Sequence, residues 1–155
     1  MSAAARWIDL LDPSREELLA ECPVTLHPRA IERLTAQSRV DHDPRPTFEP
    51  HGDYVFGVLL VPVGIPNEDR VVYQEIDLVL TPEAALTVRK APPGEQPFDL
   101  GALEAACDAH GSPSSGVIAY YLVDEVAERY LEVVDLLDTE IDADSVIDLP
   151  LIPII

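Results

Sequence analysis

The stretch that most constrains this chain runs from Gly116 to about Asp142, GVIAYYLVDEVAERYLEVVDLLDTEID. Apolar residues recur at Leu122, Val126, Tyr130, Val133, Leu137 and Ile141, a spacing of four, four, three, four and four. That is one face of an α-helix, not the alternation of a strand. Carboxylates at Asp124, Glu128, Glu132, Asp135 and Asp142 make a second file on another side. Ser114 and Ser115 can cap the N-terminus, with Gly111 and Pro113 ending the preceding element. At about 1.5 Å per residue the helix is roughly 40 Å long. A compact domain of this size has a radius of gyration of only about 15 Å, so the helix is as long as the domain is wide. Any continuation would leave the domain and reach something else.

Upstream, the punctuation of the chain predicts a small α/β body. Trp7 to Leu10 reads as an opening strand. Asp12-Pro13-Ser14 then caps a helix from Arg15 to about Cys22, with Glu16 and Glu17 at its favourable positive end. A second helix begins at His27-Pro28, carries Ile31 and Leu34 on one face, and runs to about Gln37. Pro44, Pro46 and Pro50 keep the next segment extended, and Thr47 to Glu49 can form an edge strand, where proline is tolerated. Gly52-Asp53 turns into a strand from Tyr54 to Val61, and Gly64 to Asp69 reads as a loop. Arg70 to Leu80 returns as a strand with neither face cleanly polar, as in a covered sheet. Thr81-Pro82-Glu83 leads to a last strand, Ala85 to Val88, completing a three-strand antiparallel meander. Phe98 to Ala109 predicts a helix burying Leu100, Leu103 and Cys107. The fold class expected is α/β, an α/β/α sandwich with a mixed, largely antiparallel sheet and a long C-terminal helix. Residues 1–142 form the domain, and 143–155 an atypical apolar tail whose Pro150 and Pro153 are expected to stop the helix.

Charge narrows the partners. The formal net charge is −19, from 29 acids against 10 basic residues. Such a surface repels phosphate backbones, so nucleic acid is not an expected partner, and it draws cations, divalent ones most strongly. Cys22 and Cys107 form neither a disulfide framework nor a zinc motif, which points to a reducing compartment. Neither a signal peptide nor a run approaching ~18 apolar residues is present, so a soluble intracellular chain is expected.

Taken together, these pieces resemble the cytoplasmic N-terminal domain of the CorA family of magnesium and divalent-cation transporters. The carriers are Trp7-Ile8-Asp9-Leu10, His27-Pro28 with Ile31-Glu32, Arg45-Pro46 with Phe48-Glu49, Gly52 to Phe56, Ala85 to Val88, and the helix from Tyr121-Leu122 through Asp124 to Ile141-Asp142. The resemblance implies that the last helix starts a stalk leading to two transmembrane helices with a Gly-Met-Asn signature, five copies forming the pore. This sequence has neither, so by itself it does not conduct ions, and a fragment or truncated product is expected. Arg33 departs from the acid usual after the Glu32 equivalent.

The resemblance also implies Mg2+ or another divalent cation held between neighbouring subunits by a loop acid and a stalk acid. Ile65 stands where the loop acid belongs, and Glu68 and Asp69 are the candidates to replace it. From the residues themselves, the helix acids Asp124, Glu128, Glu132 and Asp135 form a like-charge stripe at three- and four-residue spacing, which costs a few tenths of a kcal/mol per pair. Divalent ions relieve that repulsion, so metal binding would tighten the packed assembly. Asp41-His42-Asp43 with His51 and Asp53 is the most metal-like local cluster, but it lacks a helix-fixed spacing. His27 reads as a helix-start residue, and Glu75 with Asp77 as a polar sheet face rather than an acid/base pair. With no GxSxG, P-loop or Cys-His pairing, an enzyme is not expected. The competing reading is a stand-alone acidic interaction domain that binds a partner through its long helix and apolar tail, or the domain of a zinc-transporting family member.

Overall fold

The computed structural model describes residues 4–38, 45–65 and 70–148. Strand β1 (Arg6–Leu11) is followed by helices α1 (Arg15–Glu21) and α2 (Pro28–Thr35), strands β2 (Thr47–Pro50), β3 (Val55–Ile65), β4 (Arg70–Leu80) and β5 (Ala84–Arg89), then helices α3 (Gly101–His110) and α4 (Ser115–Asp148). The sheet order is β1-β5-β4-β3-β2. After β1 the chain crosses the whole sheet through α1 and α2, starts again at the far edge with β2, and returns as an antiparallel meander. The return lays β5 beside β1 in parallel, with Trp7 opposite Ala85. The sheet is therefore mixed and mainly antiparallel, and helices cover both faces.

Strand alternation divides the core in two. On one side Phe56, Val58, Val79, Leu86 and Val88 pack under Leu18, Ile31 and Leu34 of α1 and α2. On the other, Leu59, Val61, Ile76 and Leu78 meet Leu103 and Cys107 of α3 and Ile118, Leu122 and Val126 of α4. The anticipated buried positions Leu100, Leu103 and Cys107 are all buried, although the helix itself starts only at Gly101.

Local chemistry fixes the ends. Ser14 and Glu17 make a reciprocal capping box on α1. His27 Nδ1 accepts from the Arg29 amide (3.2 Å), so His27 is the N-cap ahead of Pro28. Ser114 Oγ accepts from the Val117 amide (3.2 Å) and opens α4. Gly52 sits at φ 74°, a left-handed turn that glycine adopts without a Cβ penalty, and delivers the chain into β3.

Two sequence expectations need correcting. Strand β3 does not stop at Val61 but pairs with β4 as far as Ile65 opposite Arg70, so Gly64 and Ile65 belong to the ladder rather than a loop. Helix α4 does not end at Asp142; it continues to Asp148. Nothing between Asp142 and Asp148 breaks a helix: the stretch ADSVID holds neither proline nor glycine. The 34 residues of α4 make it roughly 50 Å long.

Candidate functional site

Helix α4 buries one stripe, and only for part of its length. Ile118, Leu122 and Val126 are buried against the sheet, Val133 is half-buried, and Leu137 and Ile141 stand in solvent. The apolar face predicted over Leu122 to Ile141 is thus packed in its first half alone, because the helix outruns the strands beneath it. Tyr130 marks the transition: its hydroxyl donates to the Leu60 carbonyl (3.0 Å) at the sheet surface.

The acids Asp124, Glu128, Glu132 and Asp135 are all exposed. At about 100° per residue they share one side of α4, turned about 120° from the buried stripe. Glu132 is held by Arg129 (3.0 Å), which also grips Glu125 at 3.0 Å. Among the described residues Asp124, Glu128 and Asp135 have no ion-pair partner. No three His, Cys, Asp or Glu side chains in the described residues group as a ready-made metal site. What the stripe offers is a row of oxygen donors able to hold a hydrated hard cation one or two carboxylates at a time, as Mg2+ accepts.

Arg129 ties this stripe to the body. Its guanidinium stands 5.7 Å over the Phe98 ring, a cation–π contact. The Phe98 carbonyl accepts from Arg89 Nη1 (2.8 Å). Arg89 in turn clamps Asp9 through Nε (3.0 Å) and Nη2 (2.7 Å), while Thr87 Oγ1 donates to Asp9 Oδ1 at 2.7 Å. A continuous run of polar and stacking contacts therefore joins β1 and β5 to the acidic face of α4. Beside it lies a cavity of about 390 Å³ lined by Val61, Gln74, Phe98, Arg129, Val133 and Leu136.

Sequence reasoning missed the strongest electrostatic feature of the molecule. Glu75 and Asp77 do not form a polar face; they point under α2 into the core with Lys90. Lys90 Nζ donates to Glu75 Oε1 (2.9 Å) and to the Arg33 carbonyl (2.6 Å) at the end of α2, and lies 3.1 Å from Asp77 Oδ2. Lys90 is 3% exposed and Asp77 fully buried. Burial pushes the Asp77 carboxyl up to about 8, with the neighbouring Glu75 adding to the rise and Lys90 opposing it. The available signal was the single lysine of the chain, placed one residue after β5.

This cluster predicts a pH dependence. An acid whose folded pKa is raised stabilises the fold fully below its unfolded value, near pH ~4, and that stability is lost as pH rises through about 8. Unfolding free energy is expected to fall across that window by up to about 1.4 kcal/mol per pH unit. Urea titrations at a series of pH values check it, and Asp77→Asn should flatten the slope. An equal slope in the variant would assign the proton elsewhere.

The remaining candidates fare differently. Glu68 and Asp69 lie outside the described residues, as do Asp41, His42 and Asp43. His51 stacks on Tyr54 at 5.2 Å and its amide donates to the Tyr54 carbonyl (2.8 Å), so it serves the turn that Asp53 also occupies. Cys22 and Cys107 are free thiols. No described helix is long and apolar enough to cross a membrane.

Comparison with known proteins adds the following. The profile of the family described as CorA-like Mg2+ transporter protein matches residues 2–144. The fold is similar to the full-length CmaX protein, with TM-score 0.69 and 14% identity over 96% of this chain and 44% of that one. It is also similar to the ZntB cytoplasmic domain from Vibrio parahaemolyticus RIMD 2210633, with TM-score 0.63 and 14% identity over 88% of this chain and 53% of that one. The chain thus spans about half the length of these structures. No curated protein matches it.

Proposed function

The chain belongs to the family of CorA-like Mg2+ transporter proteins, and from that premise we propose that it is a cytoplasmic divalent-cation-sensing domain of such a transporter, not an enzyme. The observation that carries this reading is an acidic helix that leaves the body while remaining wired to it through Arg129, Phe98, Arg89 and Asp9. The pore would be supplied by segments beyond this chain, and homo-oligomeric partners by the same assembly.

In this reading Mg2+ sits against Asp124, Glu128, Glu132 and Asp135, with Glu68 and Asp69 as the candidate loop donors. Bound ions neutralise the like charges along α4, and their loss frees the helix to bend or splay. The donor chemistry suits Mg2+, which keeps most of its waters and needs few carboxylates. Other divalent ions share that chemistry, and selectivity belongs to the pore.

The test is a thermal melt in Mg2+ and in Na+ of equal ionic strength. At roughly ten times its dissociation constant, Mg2+ is expected to raise the midpoint by roughly 3–6 °C. Glu128→Gln with Asp135→Asn should remove that difference. Coincident melts of the parent chain would sink the sensing role on this domain.

A further inference from the structure

Strand alternation puts Leu78, Ile76 and then Gln74 of β4 on the face that meets α3 and α4. Leu78 and Ile76 are apolar core, but Gln74, opposite Val61 of β3, holds an amide in the same row and is only 5% exposed. Its Nε2 donates to the Gln96 carbonyl (2.7 Å). That bond fixes the amide's orientation, because the reversed amide would set oxygen against oxygen. Gln74 Oε1 is then buried with no hydrogen-bond partner among the described residues. Arg129 of α4 repeats the pattern: Nη1 and Nη2 donate to Glu132 and Glu125, and its Nε is buried without a partner among the described residues. Both side chains line the cavity of about 390 Å³ between the sheet and α4, whose apolar walls include Val61, Phe98 and Val133. Gly64 leaves room for Leu136 to lean over that cavity, since a Cβ there would stand 3.0 Å from Leu136 Cδ2. An unpartnered acceptor and an unpartnered donor on one apolar cavity cost stability, and leucine in place of Gln74 would complete the row without that cost.

We propose that this cavity binds a small neutral molecule through an amide edge: a lactam on an apolar or aromatic body. The two unpartnered groups are complementary to such an edge, Gln74 Oε1 accepting from its N–H and Arg129 Nε–H donating to its carbonyl. A lactam ring locks N–H and C=O on one side, whereas an open-chain secondary amide holds them on opposite sides. Charge and donor count exclude the other classes. An ammonium satisfies Gln74 but offers nothing to the Arg129 donor. A carboxylate satisfies Arg129 but sets a second acceptor against Gln74 Oε1. It would also lie beside Glu132 and Asp99, which line the same cavity, in a chain at −19. Ligand sites span about 300–1,000 Å³, and this one is at the small end, with room for a bicyclic molecule. An occupant bridges β4 and α4 where the helix leaves the sheet. The proposal does not depend on the cation-sensing reading, and its test is run without divalent ions.

Nuclear magnetic resonance titration of the isotope-labelled intact chain with isocarbostyril, an uncharged bicyclic lactam, in EDTA-containing buffer tests it. The Arg129 Nε–H and Gln74 side-chain amide resonances should shift together and saturably. N-methylisocarbostyril keeps the carbonyl and the shape but lacks the donor, and should bind at least about tenfold more weakly; naphthoate should do no better. Gln74→Leu removes the acceptor and completes the apolar row. It should keep the parent's circular dichroism, hold or raise the melting midpoint, and lower lactam affinity by at least about tenfold. Val133→Phe, at a half-buried position of α4, fills the cavity from the other side and should abolish the shifts without touching either polar group. Absence of a saturable shift would mean that solvent alone serves the two groups, and would overturn the proposal. Equal binding of the N-methyl lactam, or undiminished binding by Gln74→Leu or Val133→Phe, would overturn it too.

Discussion

Replacing Lys90 by methionine is expected to cost about 3–5 kcal/mol of unfolding free energy at neutral pH, the usual loss when one partner of a buried ion pair is removed. With its carboxyl pushed up to about 8, Asp77 is mainly protonated at pH 7 and lies beside the Lys90–Glu75 ion pair. Methionine fills much of the lysine volume but leaves the Glu75 charge unbalanced and the Arg33 carbonyl without its donor. Adding Glu75→Gln and Asp77→Asn to Lys90→Met should restore most of the lost stability, since the cost is an uncompensated charge and not lost volume. Urea unfolding measures all three chains. A Lys90→Met loss below about 1 kcal/mol would mean that the cluster is hydrated. An amine-reactive label offers an independent check, because Lys90 is the only lysine. The folded chain should be labelled at its α-amine alone, and the urea-unfolded chain at a second site.

The second large effect separates the two halves of α4. Leu122→Ala should destabilise by about 2–5 kcal/mol, because Leu122 is fully buried among Leu59, Ile76 and Leu103 in the α4-side core and the cavity left cannot collapse freely. Ile141→Ala, made on the same helix and in the same predicted file, should stay within about 0.5 kcal/mol in dilute protein, because Ile141 is 62% exposed. Denaturant midpoints of the two variants give the comparison directly. Equal losses would mean that the outer half of the helix is covered in solution even in the monomer.

The contrast between those residues shows where sequence reading reached its limit. Leu122 and Ile141 belong to one periodic file, and periodicity reports that a face is apolar without reporting how far the sheet beneath it extends. The acids of α4 were legible as a stripe because a helix fixes their azimuth locally. Arg129 lies among them in sequence, yet its link to Asp9 through Phe98 and Arg89 spans elements far apart in the chain. Glu75 and Asp77 were read as a polar face because two acids in a strand mostly meet water. Only the placement of α2 over β4 and β5 made them a buried pair with Lys90.

What the sequence determined by itself was everything set by neighbours a few residues apart. The caps at Ser14, His27 and Ser114, the turn at Gly52, the strand at Arg70–Leu80 and the helical period after Gly116 all follow from local backbone chemistry. The ordered set of these pieces also sufficed to indicate the family. The tertiary structure decided where the burial of the apolar face of α4 stops and which charge neutralises Glu75. Those outcomes depend on contacts between residues distant in the chain, whose free energies are set by desolvation and packing in the assembled core. No local pattern encodes which surface will lose its water.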